Sequence, residues 1–345
     1  MLINVDDTGA SPADFFDGWS AVALETDDSS FFGEIEQVCM NDSTILIGSN
    51  GDVFRFDRNG NFLNKFNRSG QGPGEYDVIS DMRLYDGEIY ILCSLYRKIF
   101  VYDYSGRLNK EYALPDKAWY SRFEPVNDST IYLATNGSIR EGYEFACYNP
   151  ALQSVTSEML PKTENYFTNR NFHPFLGREG ADIYVSRMYD HTVYNLKKGA
   201  SVPVIDYSFN TPVQLKDVLG KDAKSKYDMT SNKRIVNFLG LFAKQGNIIV
   251  QSFELFGEYG VSQYLYKQNV ETNESKLLYF NRQEWGDYPL LAVSHPVLIY
   301  DDNFVTHVDP AFVSATKRLR NPVALNNIDV DEESNPVLLF YHFKY

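Results

Sequence analysis

The chain of 345 residues carries 43% apolar and 23% charged residues, a balance that excludes a disordered polypeptide and can fill a large core. Its formal charge of −14 and isoelectric point near 4.8 make the average surface repel phosphate backbones and anionic headgroups, so nucleic acid is excluded as the expected partner. Aromatic residues reach 15%, with 25 Tyr and 24 Phe, and such side chains favour pleated, half-buried surfaces; the expected class is all-β.

The N-terminal stretch MLINVDDTGASPADFF has neither a basic n-region nor a long apolar core, so no secretory signal is read in it. No later run approaches the ~18 apolar residues of a membrane helix. The expected location is periplasmic or outer-membrane-anchored if a signal peptide has been removed, and cytoplasmic otherwise. A strand at about 20–25 follows.

Next comes a repeat. The pentapeptide NDSTI occurs at Asn41–Ile45 and again at Asn127–Ile131, and YDGEIYIL lies between them with Ile89 in the place of Ile45 and Ile131. The resulting spacings, 44 and 42 residues, are those of β-propeller blades. The second half of each unit agrees, because VFRFDRNGNFL and IFVYDYSGRLN place D-x-[NS]-G turns at Asp57–Gly60 and Asp103–Gly106 between segments of strand character.

Between these units lies RSGQGPGEYDVISD, with glycines at 70, 72 and 74. A phosphate loop would open a helix, whose N-terminal amides hold the anion, whereas here a strand follows. Pro73 removes an amide and Glu75 would repel a phosphate. The segment reads as a connection between blades, with a ligand-contacting loop as the other possibility; Arg68, Gln71, Glu75 and Tyr76 would then be its polar contacts.

Further along, KAWYSRFE places Trp119 and Tyr120 beside Arg122, and ENYFTNRNFHPFLGRE combines Tyr166, Phe167, Phe172 and Phe175 with Arg170, His173 and Arg178. Aromatics beside Arg and Asn suit a sugar or peptide surface, and they equally suit packing between blades. EWGDYP, with Trp285 and Tyr288, carries the same two readings. Weaker copies of the repeat follow at GADIYVSRMYDHTVYNL, with Ile183, and at KQGNIIVQSF, with Ile248. The wider spacing there holds an insert at about 211–234 that reads as helix and loop. The last unit, in 290–345, has strands in PVLIYDDNFVTHV and NPVLLFYHFK and a short helix capped by Asp309 with Pro310 at its first position.

Catalytic and metal motifs are not found. The five histidines show no HExxH spacing, no GxSxG elbow is present, and Cys39, Cys93 and Cys147 sit in apolar contexts that suggest buried thiols. The acidic NIDVDEESN (327–335) collects carboxylates but lacks the glycine and spacing of a calcium loop, so it reads as a solvated turn. No catalytic residue, metal site or cofactor is expected, with calcium at that turn the one alternative.

These segments add up to a single domain, 1–345, folded as an all-β six-bladed β-propeller with short helical inserts, its N-terminal strand closing the last blade. The chain resembles a six-bladed, NHL-like β-propeller family common in Bacteroidetes, on AVALETDDSSFFGEIEQV (21–38), FRFDRNGNFLNKFNRSGQGPGEY (54–76), HTVYNL (191–196) and SNPVLLFYHFK (334–344). That resemblance implies a secreted or lipid-anchored envelope protein, and it brings no agreed catalytic residues. The expected function is a non-catalytic propeller that binds a glycan, peptide or envelope protein at one face, with Arg68, Gln71, Glu75, Tyr76, Arg122, Arg170 and His173 as candidate contacts. The alternative is a hydrolase or lyase whose site is built from several blades at the mouth of the central channel.

Overall fold

The computed structural model describes residues 1–115, 118–135, 142–162, 173–197, 199–231, 234–257, 260–280, 288, 296–318 and 328–345. The protein is a six-bladed β-propeller of six four-stranded antiparallel sheets. Strands β1 (Leu2–Ile3) and β2 (Phe16–Ala23) precede the repeats. The first sheet is β3 (Gln37–Met40), β4 (Ile45–Ser49), β5 (Asp52–Phe56) and β6 (Phe62–Asn67); the second is β7 (Asp81–Tyr85), β8 (Glu88–Cys93), β9 (Lys98–Tyr102) and β10 (Leu108–Ala113). The third holds β11 (Tyr120–Asn127), β12 (Thr130–Thr135), β13 (Tyr143–Asn149) and β14 (Ser154–Pro161), and the fourth β15 (Phe175–Glu179), β16 (Asp182–Val185), β17 (Thr192–Lys197) and β18 (Ala200–Asp206).

After β19 (Ser208–Phe209) the insert carries helices α1 (Leu215–Val218) and α2 (Ala223–Ser231). The fifth sheet is β20 (Ile235–Gln245), β21 (Ile248–Gly257), β22 (Gly260–Asn269) and β23 (Ser275–Tyr279). The sixth is β24 (Pro296–Tyr300), β25 (Asn303–Val308) and β26 (Val337–Phe343), with α3 (Pro310–Arg318) between the last two. Its fourth strand is β2, which runs antiparallel to β26 from Phe16↔Phe343 to Ala23↔Val337.

Local chemistry explains the repeat. In NDSTI the Asn41 carboxamide oxygen accepts the Ser43 amide at 3.0 Å, and Asn127 does the same for Ser129 at 3.0 Å, so each copy is an Asx turn joining two strands. The D-x-[NS]-G turns are also alike: Asp57 accepts the amides of Asn59 and Asn61 at 2.8 and 3.0 Å, and Asp103 those of Ser105 and Arg107 at 2.9 and 3.1 Å. Gly60 is required by its turn, since its φ is +89° and a Cβ would stand 2.1 Å from the Ala23 carbonyl oxygen.

Each turn hands a buried residue to the next strand. Ile45, Ile89, Ile131 and Ile183 are all buried, at about 1.5–3 kcal/mol for each such side chain. In the fifth sheet the equivalent residue is Ile249, not Ile248. The two-residue turn there pairs Gln245 with Ile248, as the second sheet pairs Tyr85 with Glu88, so the buried position falls one residue later. In the last blade the Asp309 carboxylate accepts the Ala311 amide at 2.7 Å, the expected cap of α3. All three cysteines are buried free thiols.

The chain divides into two compact units. One, Phe16–Asp116 with Gln283–Lys344, holds the first, second and sixth sheets, and its core gathers around Phe54, Phe56 and Phe340 and around Tyr76, Phe100 and Tyr102. The other, Met1–Phe15 with Lys117–Arg282 and Tyr345, holds the third, fourth and fifth sheets. Among its described residues one cluster joins Ile3 and Val5 to Tyr207, Phe209, Phe253 and Tyr264, and a smaller one joins Val218 of the insert to Met188, Tyr189, Ile235 and Phe238.

Candidate ligand-binding site

The GQGPGEY segment closes on itself. The Gly70 amide donates across the loop to Tyr76 O at 2.9 Å, the Tyr76 amide to Arg68 O at 3.0 Å, and the Glu75 amide back to Gly72 O at 3.2 Å. The Glu75 carboxylate accepts the Gly72 amide at 2.8 Å, and a Cβ on Gly70 would lie 2.0 Å from that carboxylate. The glycines therefore do cradle an anion, and it is the loop's own glutamate.

Three tyrosines pin the loop, its own Tyr76 and two from outside it. Tyr76, fully buried, donates to Gly51 O at 2.8 Å and accepts the Arg68 amide at 3.2 Å; Tyr96 and Tyr102 donate to the carbonyls of Gly70 and Gly74 at 3.0 and 2.9 Å. Burial pushes the Tyr76 phenol up to about 12, so it stays a proton donor. Arg68 spends its Nε on Gly106 O at 2.8 Å, while Gln71 is exposed.

The remaining sequence candidates lie in the other unit, except for Arg170, which lies outside the described residues. Arg122 on β11 is half-buried and donates to Ser121 O at 2.9 Å. His173, just before β15, bonds through Nδ1 to Phe175 O at 2.9 Å. Nearby, Arg178 pairs with Glu124 at 3.3 Å and also donates to Pro125 O. The proposed contacts are thus split: Arg68, Gln71, Glu75 and Tyr76 share one loop, and Arg122 and His173 belong to the third and fourth sheets.

A cavity of about 530 Å³ lies elsewhere in the second unit, beside the fourth sheet. The turn between β16 and β17 supplies Arg187, Met188, Tyr189, Asp190 and His191. The run from the end of β18 through β19 supplies Asp206, Tyr207, Ser208 and Phe209, and the insert supplies Gln214, Leu215, Lys216 and Leu219. The volume falls within the ~300–1,000 Å³ typical of small-molecule sites.

Local bonds hold its polar side in place. Arg187 Nε pairs with Asp190 at 2.6 Å and its Nη1 donates to Pro161 O at 3.1 Å. The Asp190 carboxylate also accepts the Thr192 amide at 2.9 Å and the Tyr194 hydroxyl at 2.9 Å. Burial alone would raise the Asp190 carboxyl, but the Arg187 hydrogen bond and the Thr192 amide outweigh it and hold the group below its ordinary range.

His191 donates from Nε2 to Val236 O at 2.8 Å, and its ring meets Phe209 edge-on at 4.7 Å. A carbonyl can only accept, so this bond fixes the tautomer and leaves Nδ1 as an acceptor. Desolvation pulls the imidazole below its usual value and keeps it neutral. Beside it the parallel pairing of β1 with β19 backs the wall formed by Ser208 and Phe209.

None of these cavity residues stood out in the sequence as a site. The available signal was SRMYDH, in which Arg187, Asp190 and His191 crowd a six-residue connection, with the helical insert following later in the same unit. In the acidic turn before β26, Asp331 is spent locally, accepting the Glu333 amide and the Ser334 hydroxyl at 3.0 and 2.9 Å. Among the described residues no group of three or more His, Cys, Asp or Glu side chains is placed to hold a metal ion, and no helix is long and apolar enough to cross a membrane.

Solved structures with this architecture include a protein from Bacteroides fragilis NCTC 9343, whose name marks it as a candidate for export. It superposes with a TM-score of 0.78 at 17% identity over 100% of both chains. A member of the DUF4221 family from Bacteroides vulgatus ATCC 8482 follows with a TM-score of 0.60 and 11% identity, covering 95% of this chain and 97% of its own. At such identities the likeness is one of fold. No curated protein matches the sequence. The model of DUF4934, a domain of unknown function, matches residues 3–342, and the chain belongs to that family.

Proposed function

We propose that the protein is a binding module of the bacterial envelope, non-catalytic, which takes its ligand in the cavity beside the fourth sheet. One observation carries this reading: the cavity's charged and titratable groups are anchored by local bonds, with Asp190 held by Arg187, Thr192 and Tyr194 and the His191 Nε2 proton committed to a carbonyl. Groups anchored in this way are suited to holding a ligand in one orientation, because little reorganisation is needed on binding. The export implied by the name of the Bacteroides fragilis protein supports an envelope location. A macromolecular partner has a second surface available in exposed Gln71 and the rim of its loop, and the chain is read as one domain over 1–345.

The test is the melting temperature of the full chain against glycan oligomers, peptides and envelope extracts. A ligand at about 100 times its dissociation constant adds roughly 2.7 kcal/mol, a shift of roughly 3–4 °C at this length. A shift that a bulky substitution at exposed Leu219 removes supports the reading; a shift indifferent to it counts against the cavity.

An enzymatic reading has one observation in its favour. Burial lowers the Lys162 amine below its usual value, against the opposing pull of the buried Glu144 carboxylate, and a depressed lysine can act as base or nucleophile. A hydrolase or lyase activity lost in Lys162→Met and retained in Leu219→Trp would decide for it.

A further inference from the structure

We infer that the cavity beside the fourth sheet takes a neutral, polyhydroxylated ligand, a saccharide, through hydrogen-bonding groups that the described residues leave unused. The inference rests on reading the cavity as a binding site. Charge comes first. Arg187 and Lys216 are balanced by Asp190 and Asp206 in the lining, and His191 is kept neutral by burial, so the lining side chains carry no net charge to select an anion or a cation.

Hydrogen-bonding capacity comes second. Arg187 uses its Nε proton and one proton of Nη1, which leaves the second Nη1 proton and both of Nη2. His191 Nδ1 has no hydrogen bond among the described residues. Asp206 engages one carboxylate oxygen with the Thr192 hydroxyl at 3.2 Å and has the other to offer, and the exposed Ser208 and Lys216 add a hydroxyl and an ammonium.

Donors and acceptors are therefore mixed along one wall. A hydroxyl both donates and accepts, so a sugar ring can satisfy neighbouring groups of opposite kind with adjacent hydroxyls and recover the hydrogen bonds it loses on leaving water. An uncharged peptide has fewer such groups and presents apolar side chains instead. Tyr189 and Phe209 add aromatic surface to the lining, which suits the C–H faces of a sugar ring.

The experiment is calorimetric titration of the full chain with neutral oligosaccharides of glucose, mannose and N-acetylglucosamine, with oligogalacturonate as an anionic sugar, and with neutral and charged tripeptides. Binding by a neutral oligosaccharide is expected, weakened about three- to tenfold in Ser208→Ala and in Lys216→Met and lost in Leu219→Trp, with melting temperatures unchanged because all three positions are exposed. If only oligogalacturonate or a tripeptide binds, and Leu219→Trp removes that binding, the saccharide inference is overturned and the cavity stands as a binding site. Oligosaccharide binding that survives Leu219→Trp, or no binding by any probe at millimolar concentration, overturns both.

Discussion

The GQGPGEY loop and the SRMYDH turn both connect strands, and both concentrate groups that invite a functional reading, yet they use them in opposite ways. In the loop the glycine amide, the carboxylate of Glu75 and three tyrosine hydroxyls are spent on one another and on nearby carbonyls. In the turn Arg187, Asp190 and His191 are anchored, but Arg187 Nη2 and His191 Nδ1 keep capacity that faces no partner among the described residues. A conspicuous motif can thus be a finished piece of structure, while an inconspicuous turn retains hydrogen-bonding groups for a ligand.

Substitutions can break this contrast. The largest effect is expected for Arg187→Met, which leaves the mostly buried Asp190 carboxylate without its cation and should cost about 2–4 kcal/mol by chemical denaturation. A cost under about 0.5 kcal/mol would mean that the pair does not anchor the turn. Next comes Tyr76→Phe, which strips the hydroxyl shared by Gly51 O and the Arg68 amide; about 1–3 kcal/mol should be lost, with faster amide exchange across 68–76. Unchanged exchange there would show that the loop does not depend on its tyrosine.

The pH dependence sharpens the comparison. His191 has a folded-state pKa below the ordinary 6.5, so the unfolded chain binds the proton more tightly. The stability this group contributes is complete above about pH 6.5 and is lost as pH falls from there towards the folded value. His191→Gln should flatten that part of the stability profile, and an unchanged slope would place the titration elsewhere. The smallest effect is expected for Gln71→Ala, which should stay within about 0.5 kcal/mol because the side chain is exposed.

Much of the fold was legible because it is written in local turn chemistry. Asn41 and Asn127 cap their own turns, Asp57 and Asp103 close theirs, and each does so within four residues, so the repeat survives as recognisable pentapeptides. The one-residue slip at Ile248 arose because two isoleucines follow the Gly246–Asn247 turn, and the strand register decides that the second is the buried one. The strand supplied by Phe16–Ala23 to the last sheet extends further towards the N-terminus than the segment about 20–25, since Phe16 pairs with Phe343 and packs on Tyr341 at 5.3 Å.

The cavity was not legible for the converse reason. Arg187, Asp206, Ser208 and Lys216 are ordinary residues in ordinary contexts, and nothing in their spacing brings them to one wall. By itself the sequence determined the strand-and-turn rhythm and the number of blades, because those are written in turns closed between near neighbours. Only the tertiary structure decided which groups are spent and which remain available. That depends on carbonyls and rings from distant segments, such as Val236 O for His191 and Pro161 O for Arg187, whose positions are set by the packing of whole sheets.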